Sequence, residues 1–418
     1  MNEQSEVARL VDEAQRKTRK MPELALSHAM ELDRKLRLQK IDYPVTYCAT
    51  DWVSSRSEKS GVVLAGTDSA PMQTLWRSEQ LRRAGEEKKA AAVAFQSARA
   101  AEIPALNLLY ANLSLDSEAV WLEFLNKYLA HRAAIDDRSA QDYALKLDRS
   151  VESRFSGLTL SKSPEPTQHN GPKISVLMPI YNAERTLQMA AESILNQTWK
   201  ALELILIDDS STDDSLAIAH KLKQKDPRVR VLELTQNGGP YIARNTGAQQ
   251  ATGEYITVHD ADDWALPTRL ADQISELRKT RGASVGMGHM LRIQDDGLVR
   301  RLQPTGWITP DGGLRLCFPS MLFEQTYFRQ KLGAWDSVKA GADLEIFHRI
   351  KRFDPKALAI STKLTMLQLD HPASLTSSPK LYNDERGISE WRLNYQREWI
   401  AKHQSTSDMR IAPFPYPE

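Results

Sequence analysis

The stretch that decides the fold is 173–264, which begins KISVLMP at 173–179, continues ELILIDDSSTD at 203–213 and ends HDADDW at 259–264. Branched apolar runs that end in acidic and hydroxyl residues are typical of buried parallel strands, which deliver polar groups to the carboxyl edge of a sheet. Open α/β sheets bind their ligands at that edge. Two strands of this stretch end in carboxylates, and we therefore expect a ligand site where they end.

The pattern along this stretch predicts βαβ units in a parallel sheet. Strand patterns at 174–179, 203–207, 229–234 and 254–258 alternate with helix patterns at 184–197 and 215–225. Further along, we expect a helix at 266–279, strands at 283–292 and 297–302 joined by a hairpin turn, and a helix from 342 to 350.

The first 160 residues differ in pattern and predict helices. Apolar positions recur at helical spacing in residues 1–36 and 72–99, and a pair of helices is predicted at 105–113 and 117–132. Small residues alternate with large ones, which resembles tetratricopeptide-type stacking. No strict period emerges, so a domain of helical hairpins and an irregular helical domain both remain open.

Composition shifts divide the chain into four parts. We expect a helical domain at 1–160, a linker rich in proline and small polar residues at 161–172, an α/β domain at 173–385 and a C-terminal helix and tail at 386–418. The C-terminal helix carries aromatic residues among basic ones. Packing against the α/β domain or a partner is favoured over lying on a membrane surface.

Charge and cysteine content exclude several classes of protein. The 418 residues carry a formal net charge of +1, which gives no support for a nucleic-acid-binding surface. Cys48 and Cys317 lie far apart in no metal-ligand spacing, which argues against a disulfide framework and a zinc site. The sequence shows neither a signal-peptide pattern nor an apolar run long enough for a membrane span, so we expect a cytoplasmic protein.

Two groups of acids carry the chemistry that the sequence predicts. Alternate carboxylates in a short turn, such as Asp260 and Asp262, can hold Mg²⁺ or Mn²⁺ together with phosphate oxygens of a substrate. Asp208 and Asp209 exceed what a helix cap requires, and a carboxylate there can accept the imide N–H of uracil or thymine. These acids therefore predict a metal and nucleotide site.

A glycine-containing segment at 237–247 adds a third element. Its glycines permit close backbone approach, and Arg244 on the following helix could reach a phosphate with a fork of donors. The segment is neither the Gly-x-Gly-x-x-Gly of a dinucleotide fold nor a Walker loop, and both of those interpretations are set aside.

Together these motifs resemble family 2 of the glycosyltransferases. The resemblance rests, in order and in spacing, on PIYN at 179–182, DDSSTD at 208–213, NG at 237–238, ARN at 243–245, GEYI at 253–256 and DADD at 260–263. It covers about 173–375 and is absent from 1–170. The resemblance implies a GT-A fold with a mixed sheet flanked by helices, a nucleotide-sugar donor, a divalent metal (Mn²⁺ or Mg²⁺) and an inverting transfer.

The resemblance also implies roles for individual residues. The nucleoside pocket would be formed by Asp208 and Asp209, with Asp209 the first choice for the nucleobase, and lined by Pro179, Tyr181 and Glu184. Asp260 and Asp262 would hold ribose, metal and diphosphate, with Asp262 as the direct ligand. His371 would approach the metal or the diphosphate. The alternative interpretation of His371 is a loop histidine without such a role.

Two positions depart from the family pattern. The catalytic base matches Asp343 in GADLE at 341–345, where the family usually has Glu-Asp instead of Ala-Asp; Glu345 stays an alternative base, and a helix cap is an alternative role for Asp343. His259 stands where the family commonly has an apolar residue. No local pattern supplies a physical reason for that histidine.

These observations predict a metal-dependent inverting glycosyltransferase of bacterial surface-polysaccharide synthesis. We expect a nucleotide-sugar donor, with a UDP-sugar favoured, a saccharide or lipid-linked saccharide acceptor, no nucleic acid, and a partner or self-association through the helical domain. Localisation is expected to be cytoplasmic, with peripheral attachment to the inner face of the plasma membrane as an option. The alternative is a nucleotide-sugar-binding scaffold without turnover. A nucleotidyltransferase would need a glycine-rich basic loop after the first strand, which YNAE at 181–184 is not.

Overall fold

The computed structural model describes residues 104–151, 153–162, 171–299, 311–371 and 390–411, with the single residues 13, 82 and 302. The helices predicted before residue 104 and most of the predicted linker lie outside the described residues. Within them the chain forms a two-stranded ribbon and a nine-stranded sheet. The strands are β1 (Leu145–Leu147), β2 (Leu158–Leu160), β3 (Ile174–Ile180), β4 (Leu202–Asp208), β5 (Val229–Glu233), β6 (Tyr255–Val258), β7 (Trp264–Ala265), β8 (Val285–Ile293), β9 (Arg315–Leu316), β10 (Leu322–Glu324) and β11 (Leu358–Leu369).

Among the described residues, three helices precede the nine-stranded sheet in sequence, and others alternate with its strands and pack on both of its faces. They are α1 (Ala105–Asn112), α2 (Glu118–Ile135), α3 (Ala140–Tyr143), α4 (Leu187–Leu195), α5 (Ser215–Lys225), α6 (Pro240–Gln250), α7 (Arg269–Lys279), α8 (Gln325–Tyr327), α9 (Ala342–Phe353) and α10 (Glu390–Ser405). Short 3₁₀ turns occur at Phe318–Ser320 and Pro355–Ala357, and a π-helical turn occurs at Phe328–Leu332. Among the helices of the described residues, none combines the length and apolarity that crossing a bilayer requires.

The sheet has a parallel half and a mixed half. Its order is β5-β4-β3-β6-β10-β8-β11-β7, with β9 paired to β8. Strands β5, β4, β3 and β6 run parallel, β10 is antiparallel to both β6 and β8, and β8 runs parallel to β11. The mixed sheet flanked by helices that the family resemblance implied is therefore confirmed.

The parallel half places the acidic segments on one edge. Strand β4 is buried along its whole length, as expected for a strand covered on both faces, and its last residue is Asp208. Strand β6 ends at Val258, immediately before the acidic residues 260–263. Because β3 lies between them and pairs in parallel with both, β4 and β6 are about 10 Å apart across the sheet and point to the same edge, with β6 ending three residues earlier in register.

Helices α1 and α2 share their core with the sheet. Their buried apolar residues, which include Leu108 and Trp121, form one cluster with residues of β7, β8 and β11. The Trp121 indole donates to the carbonyl of Gly297 at 2.8 Å. The predicted contact between these helices is confirmed, since the rings of Tyr110 and Phe124 lie 5.1 Å apart. The domain boundary near residue 160 stays a prediction.

Most predicted elements that fall on described residues are confirmed to within a few residues, but the strand expected at 297–302 does not form over 297–299. The turn at 295–297 forms with Gly297 at φ 95, but 297–299 pair with β8 only through an isolated bridge between Ile293 and Val299, not as a strand. The parallel sheet predicted from the first four strands is also incomplete, because β10 and β11 extend it. The pairing of those strands depends on segments far apart in sequence, which local patterns do not report.

Candidate active site

The acids that end β4 have different surroundings. Asp208 accepts from the Ser211 amide at 3.1 Å through Oδ2, whereas its buried Oδ1 has no hydrogen-bond partner among the described residues. Both carboxylate oxygens of Asp209 accept from backbone amides, those of Gly238 and Gly239, at 2.8 Å each. Burial raises the pKa of Asp209 above its ordinary value, although the two amide bonds lower it. The charge of Asp208 raises it further. Asp209 therefore holds the glycine loop, and Asp208 keeps an unused acceptor.

The glycine loop fits closely between Asp209 and helix α6. Gly239 has φ 86, a left-handed conformation that favours glycine. A Cβ on Gly238 would lie 2.7 Å from a methyl carbon of Ile242. The loop therefore requires glycine at both positions, and it fixes where α6 begins.

The loop after β3 is bound to the loop after β4. Asn182 Oδ1 accepts from the Thr212 amide at 2.8 Å, and Glu184 Oε2 accepts from the Asp214 amide at 3.1 Å. Pro179 is half-buried at the end of β3, and Tyr181 is 53% exposed. The predicted nucleoside residues of the two loops thus lie together, with Glu184 engaged in holding the backbone and the Tyr181 ring open to solvent.

Arg244 connects the acidic turn to helix α9. Its buried guanidinium donates to Asp260 Oδ1 at 2.6 Å and to Asp343 Oδ1 at 2.7 Å. Burial opposes the charge, but Asp260 and Asp343 outweigh it and raise the pKa of Arg244 above its ordinary value. The residue predicted to reach a phosphate therefore lies in the site, where it joins the predicted donor-binding acid to the predicted base.

Asp343 lies at the start of α9 and is almost enclosed. Its Oδ2 accepts from the Tyr241 hydroxyl at 2.9 Å, and its backbone amide donates to the same hydroxyl at 3.4 Å. Burial raises the pKa of Asp343 above its ordinary value, while Arg244 and Tyr241 offset part of that rise and Asp260 adds to it. A buried carboxylate with a raised pKa is a stronger proton acceptor than a solvated one.

Glu345, the alternative base, has two other partners. Its oxygens contact Arg349 at 3.1 Å and His403 Nε2 at 2.8 Å, and its side chain is 2% exposed. His403 belongs to the C-terminal helix α10. Glu345 therefore joins α9 to α10, and Asp343 is the carboxylate that faces the acidic turn.

The C-terminal helix packs against the α/β domain through its aromatic face. The ring of Trp399 stacks on His348 of α9 with centroids 5.5 Å apart. The Tyr395 hydroxyl donates to Asp336 at 3.0 Å, and its ring lies beside Gly341, two residues before Asp343. Of the packing modes that the sequence left open, docking on the α/β domain is confirmed.

The residues predicted to hold a metal lie near each other. Asp262 Oδ2 lies 3.8 Å from His371 Nε2, and both side chains are partly exposed. Burial and the neighbouring Asp260 raise the pKa of Asp262 to about 7. In the described part of the chain, no set of three metal-binding side chains converges on one point. Two carboxylates that repel each other, with an imidazole opposite one of them, nevertheless fit a divalent cation whose remaining ligands come from a substrate.

Sequence reasoning missed three parts of the site. Tyr241 lies in the glycine segment, three residues before Arg244, and no role is predicted for it from the sequence. That spacing on a helix, which puts both side chains on one face, was the available signal. The contacts of α10 depend on packing that no local pattern shows. His259 is buried beneath the acidic turn against Arg269, and burial together with the Arg269 charge lowers the pKa of His259 well below its ordinary value.

Comparison with known proteins finds a family model that matches part of the chain. Residues 175–335 match the family model Glycosyl transferase family 2. An uncharacterized glycosyltransferase of Haemophilus influenzae is 45% identical over 106 residues, 25% of this chain and 42% of that protein. The GalNAc(5)-diNAcBac-PP-undecaprenol beta-1,3-glucosyltransferase of Campylobacter jejuni is 40% identical over 102 residues, 24% of this chain and 33% of that protein. The chain spans less than half of the length of both relatives.

A solved structure is also similar. S. aureus TarS 1-349 in complex with UDP-GlcNAc has a TM-score of 0.38 and 22% identity, and the match covers 49% of this chain and 61% of that chain. Residues 175–335 are therefore similar to glycosyl transferase family 2, and the helix-flanked mixed sheet agrees with the GT-A fold that the sequence resemblance implied.

Proposed function

We propose that the protein is an inverting glycosyltransferase that moves a sugar from a nucleotide-diphosphate donor to a hydroxyl acceptor. The observation that supports this best is the Arg244 bridge. One buried guanidinium bonds Asp260 of the acidic turn and Asp343 at the start of α9. The proposed donor-binding acid and the proposed base are therefore held by one guanidinium, close enough together to act on a donor and an acceptor bound side by side.

In this proposal Asp343 is the base. Its carboxylate takes the proton of the acceptor hydroxyl as that oxygen attacks the anomeric carbon, and the bond from that carbon to the diphosphate oxygen breaks on the opposite face. Attack from one side with departure from the other inverts the anomeric configuration. Arg244 and Tyr241 hold the Asp343 carboxylate in a fixed orientation for that proton transfer.

Asp262, Asp260 and His371 would hold Mn²⁺ or Mg²⁺ beside the diphosphate. When bound, the cation neutralises the charge that grows on the departing diphosphate. Burial of Asp262, and after it the repulsion from the like-charged Asp260, raises the pKa of Asp262 to about 7, which favours cation binding by this pair. A cation relieves that repulsion and keeps both carboxylates ionised.

The pocket after β3 and β4 would receive the nucleoside. Asp208 Oδ1 is a buried acceptor without a partner among the described residues, which suits the imide N–H of uracil and favours a UDP-sugar. The family resemblance favours Asp209 for that contact, but each of its oxygens already accepts one amide. The exposed ring of Tyr181 is available at the rim to lie against the base.

The acceptor would be a saccharide or a lipid-linked saccharide of bacterial surface-polysaccharide synthesis. The Campylobacter jejuni relative carries a polyprenol-linked saccharide in its name, which supports that class of acceptor for this chain. We place the enzyme in the cytoplasm or at the inner face of the plasma membrane, where such acceptors are assembled from nucleotide sugars.

The proposal is tested by incubating the protein with a panel of nucleotide sugars and Mn²⁺, and by measuring the nucleotide released with and without saccharide acceptors. Asp262→Ala is expected to abolish release, and Asp343→Asn to abolish transfer while leaving nucleotide binding within about threefold of wild type. Asp116→Asn, an exposed carboxylate between α1 and α2, is the matched control. Full transfer by Asp262→Ala would refute the proposal, and binding of a nucleotide sugar without any turnover would favour the scaffold alternative.

A further inference from the structure

His259 lies directly beneath the acidic turn and is 1% exposed. Its Nε2 lies 3.1 Å from the carbonyl oxygen of Asp263 and 3.3 Å from the hydroxyl of Ser193. Its Nδ1 lies 2.9 Å from a guanidinium nitrogen of Arg269. The imidazole therefore connects the residue just before the turn to the last residue of the turn, Asp263, with the two proposed cation ligands between them in sequence.

The partners of the ring determine which nitrogen carries the proton. A guanidinium can only donate, so Nδ1 of His259 must accept from Arg269 and the proton lies on Nε2. The Asp263 carbonyl can only accept, which fits a donating Nε2–H. The Ser193 hydroxyl is committed to the Ala190 carbonyl at 2.7 Å, and toward His259 its oxygen likewise accepts. All three contacts fit the neutral ring that carries its proton on Nε2.

Arg269 is held in place by acceptors at the end of β6. Its side chain is fully buried, and it donates to the Val258 carbonyl at 2.6 Å and to the Thr257 hydroxyl at 3.0 Å, in addition to His259. These acceptors are neutral and belong to β6 and the residue that follows it. The guanidinium therefore fixes the end of the strand and the ring at once.

The far end of the turn is fixed from the other side. Asp263 accepts from the Leu369 amide at 3.1 Å through Oδ1, and the Gln368 side-chain amide lies 3.5 Å from its Oδ2. Both partners are in the last two residues of β11, just before His371. Asp263 is thus bound through its carbonyl to His259 and through its carboxylate to the strand that leads to His371.

We propose that His259 and Arg269 are positioning residues that staple the acidic turn 260–263, so that Asp260 and Asp262 are presented together to the donor nucleotide and its cation. An apolar residue at 259, which the family commonly has, cannot bond the Asp263 carbonyl, and it would remove the imidazole nitrogen that accepts from Arg269 at 2.9 Å. The inference rests on the proposed function for its ligand. The staple itself is a property of the fold.

Two substitutions separate the contacts of the ring. His259→Gln keeps a donor that can reach the Asp263 carbonyl, whereas His259→Asn keeps an acceptor for Arg269 but is too short to reach Asp263. His289→Asn is the matched control, because His289 is also 1% exposed and bonds a backbone carbonyl, that of Ser361, at 2.8 Å outside the turn. UDP with Mn²⁺ is the binding probe, and hydrogen exchange of the amides of 260–266 is the second readout.

We expect His259→Asn to weaken UDP binding about tenfold, as the loss of one buried hydrogen bond would. It should also speed exchange of the 260–266 amides, while His259→Gln stays within about threefold of wild type in affinity. With a donor in hand, the loss should appear in KM for the nucleotide sugar and be restored by glutamine. His289→Asn should lower the melting temperature without changing either readout.

Wild-type affinity or wild-type exchange in His259→Asn would overturn the proposal, and so would an equal loss in His259→Gln. Should His259→Asn fail to fold, Arg269→Lys replaces it, since lysine keeps the charge but loses the fork that holds the strand end and the ring together. The same two changes are then expected, and their absence refutes the staple. If wild-type protein does not bind UDP, the proposed donor is wrong, and the exchange measurements alone decide the staple.

Discussion

Arg244 lies between two carboxylates that belong to different parts of the chain, and its position explains why a buried Asp343 stays useful as a base. Removing one partner from such a buried pair leaves an uncompensated charge, which costs about 3–5 kcal/mol. The pKa of Asp343 is raised by burial and is lowered again by its bonds with Arg244 and Tyr241. At the scale of single residues, burial therefore raises the pKa of Asp343 while its two hydrogen-bond donors lower it.

Tyr241→Phe tests that adjustment. The hydroxyl donates to Asp343 at 2.9 Å, and this bond lowers the pKa of Asp343. Its loss raises the pKa further, and the base must be ionised to accept a proton. Transfer is therefore lost as the pH falls, and we expect the acidic limb of kcat to move to higher pH in Tyr241→Phe.

The measurement is kcat for transfer against pH in both proteins at saturating donor. Tyr327→Phe is a suitable control, because Tyr327 is buried to a similar degree and lies outside the site. An acidic limb that stays in place, or moves to lower pH, would contradict the role given to Tyr241. A lower kcat at every pH without a displaced limb would indicate lost packing only.

At the scale of elements, helix α10 braces helix α9, whose first turn carries Asp343. Trp399 is buried to 4% exposure and stacks on His348, while Trp391 of the same helix is 36% exposed. His403 adds a contact with Glu345 at 2.8 Å. The C-terminal helix therefore belongs to the structure that holds the base, although it lies outside the segment that matches the family.

Trp399→Ala is expected to lower the free energy of unfolding by about 3–5 kcal/mol, because it removes a large buried ring and leaves a cavity between the two helices. Trp391→Ala, the same substitution on the exposed side of α10, should cost about 1 kcal/mol or less, the loss of one stacking contact with Tyr395. Urea denaturation followed by far-UV circular dichroism measures both. Equal losses in the two variants would mean that α10 is not docked as described.

At the scale of the whole molecule, α1 and α2 are joined to the sheet by a shared core and by charges. Arg138, just after α2, contacts Asp272 of α7, and Lys363 of β11 contacts the same carboxylate at 2.8 Å. Asp136 accepts from the backbone amide of Leu364 at 3.1 Å. The helical segment from residue 105 therefore covers the mixed half of the sheet.

Trp121→Ala tests whether this cover unfolds with the sheet. The ring is fully buried against Gly297, and its loss should cost about 3–5 kcal/mol. If the two parts share one core, scanning calorimetry of the variant should show the transition of the sheet moving to lower temperature together with that of α2. A separate transition that moves while the other stays would support an independent domain that ends near residue 160.

The acids of the site can be predicted from the sequence alone, whereas their partners cannot. Asp208 and Asp260 come at the ends of apolar runs, and a continuous apolar run that ends in a carboxylate is a local property of the chain. The assignment of Glu345 depends on His403, which lies more than one helix further along the sequence. Of the strand expected at 297–302, the described residues 297–299 form only a bridge between Ile293 and Val299, and Gly297 packs against Trp121.

Local patterns in the chain were enough to locate the buried strands and the acids that end them, because apolar periodicity and terminal carboxylates are recorded residue by residue. Packing in three dimensions settled which polar groups meet: Arg244 with Asp260 and Asp343, His259 with Arg269 and the Asp263 carbonyl, and Glu345 with the C-terminal helix. Such contacts join segments that are distant in sequence. Strand register and helix packing bring them together, and both depend on the whole core at once.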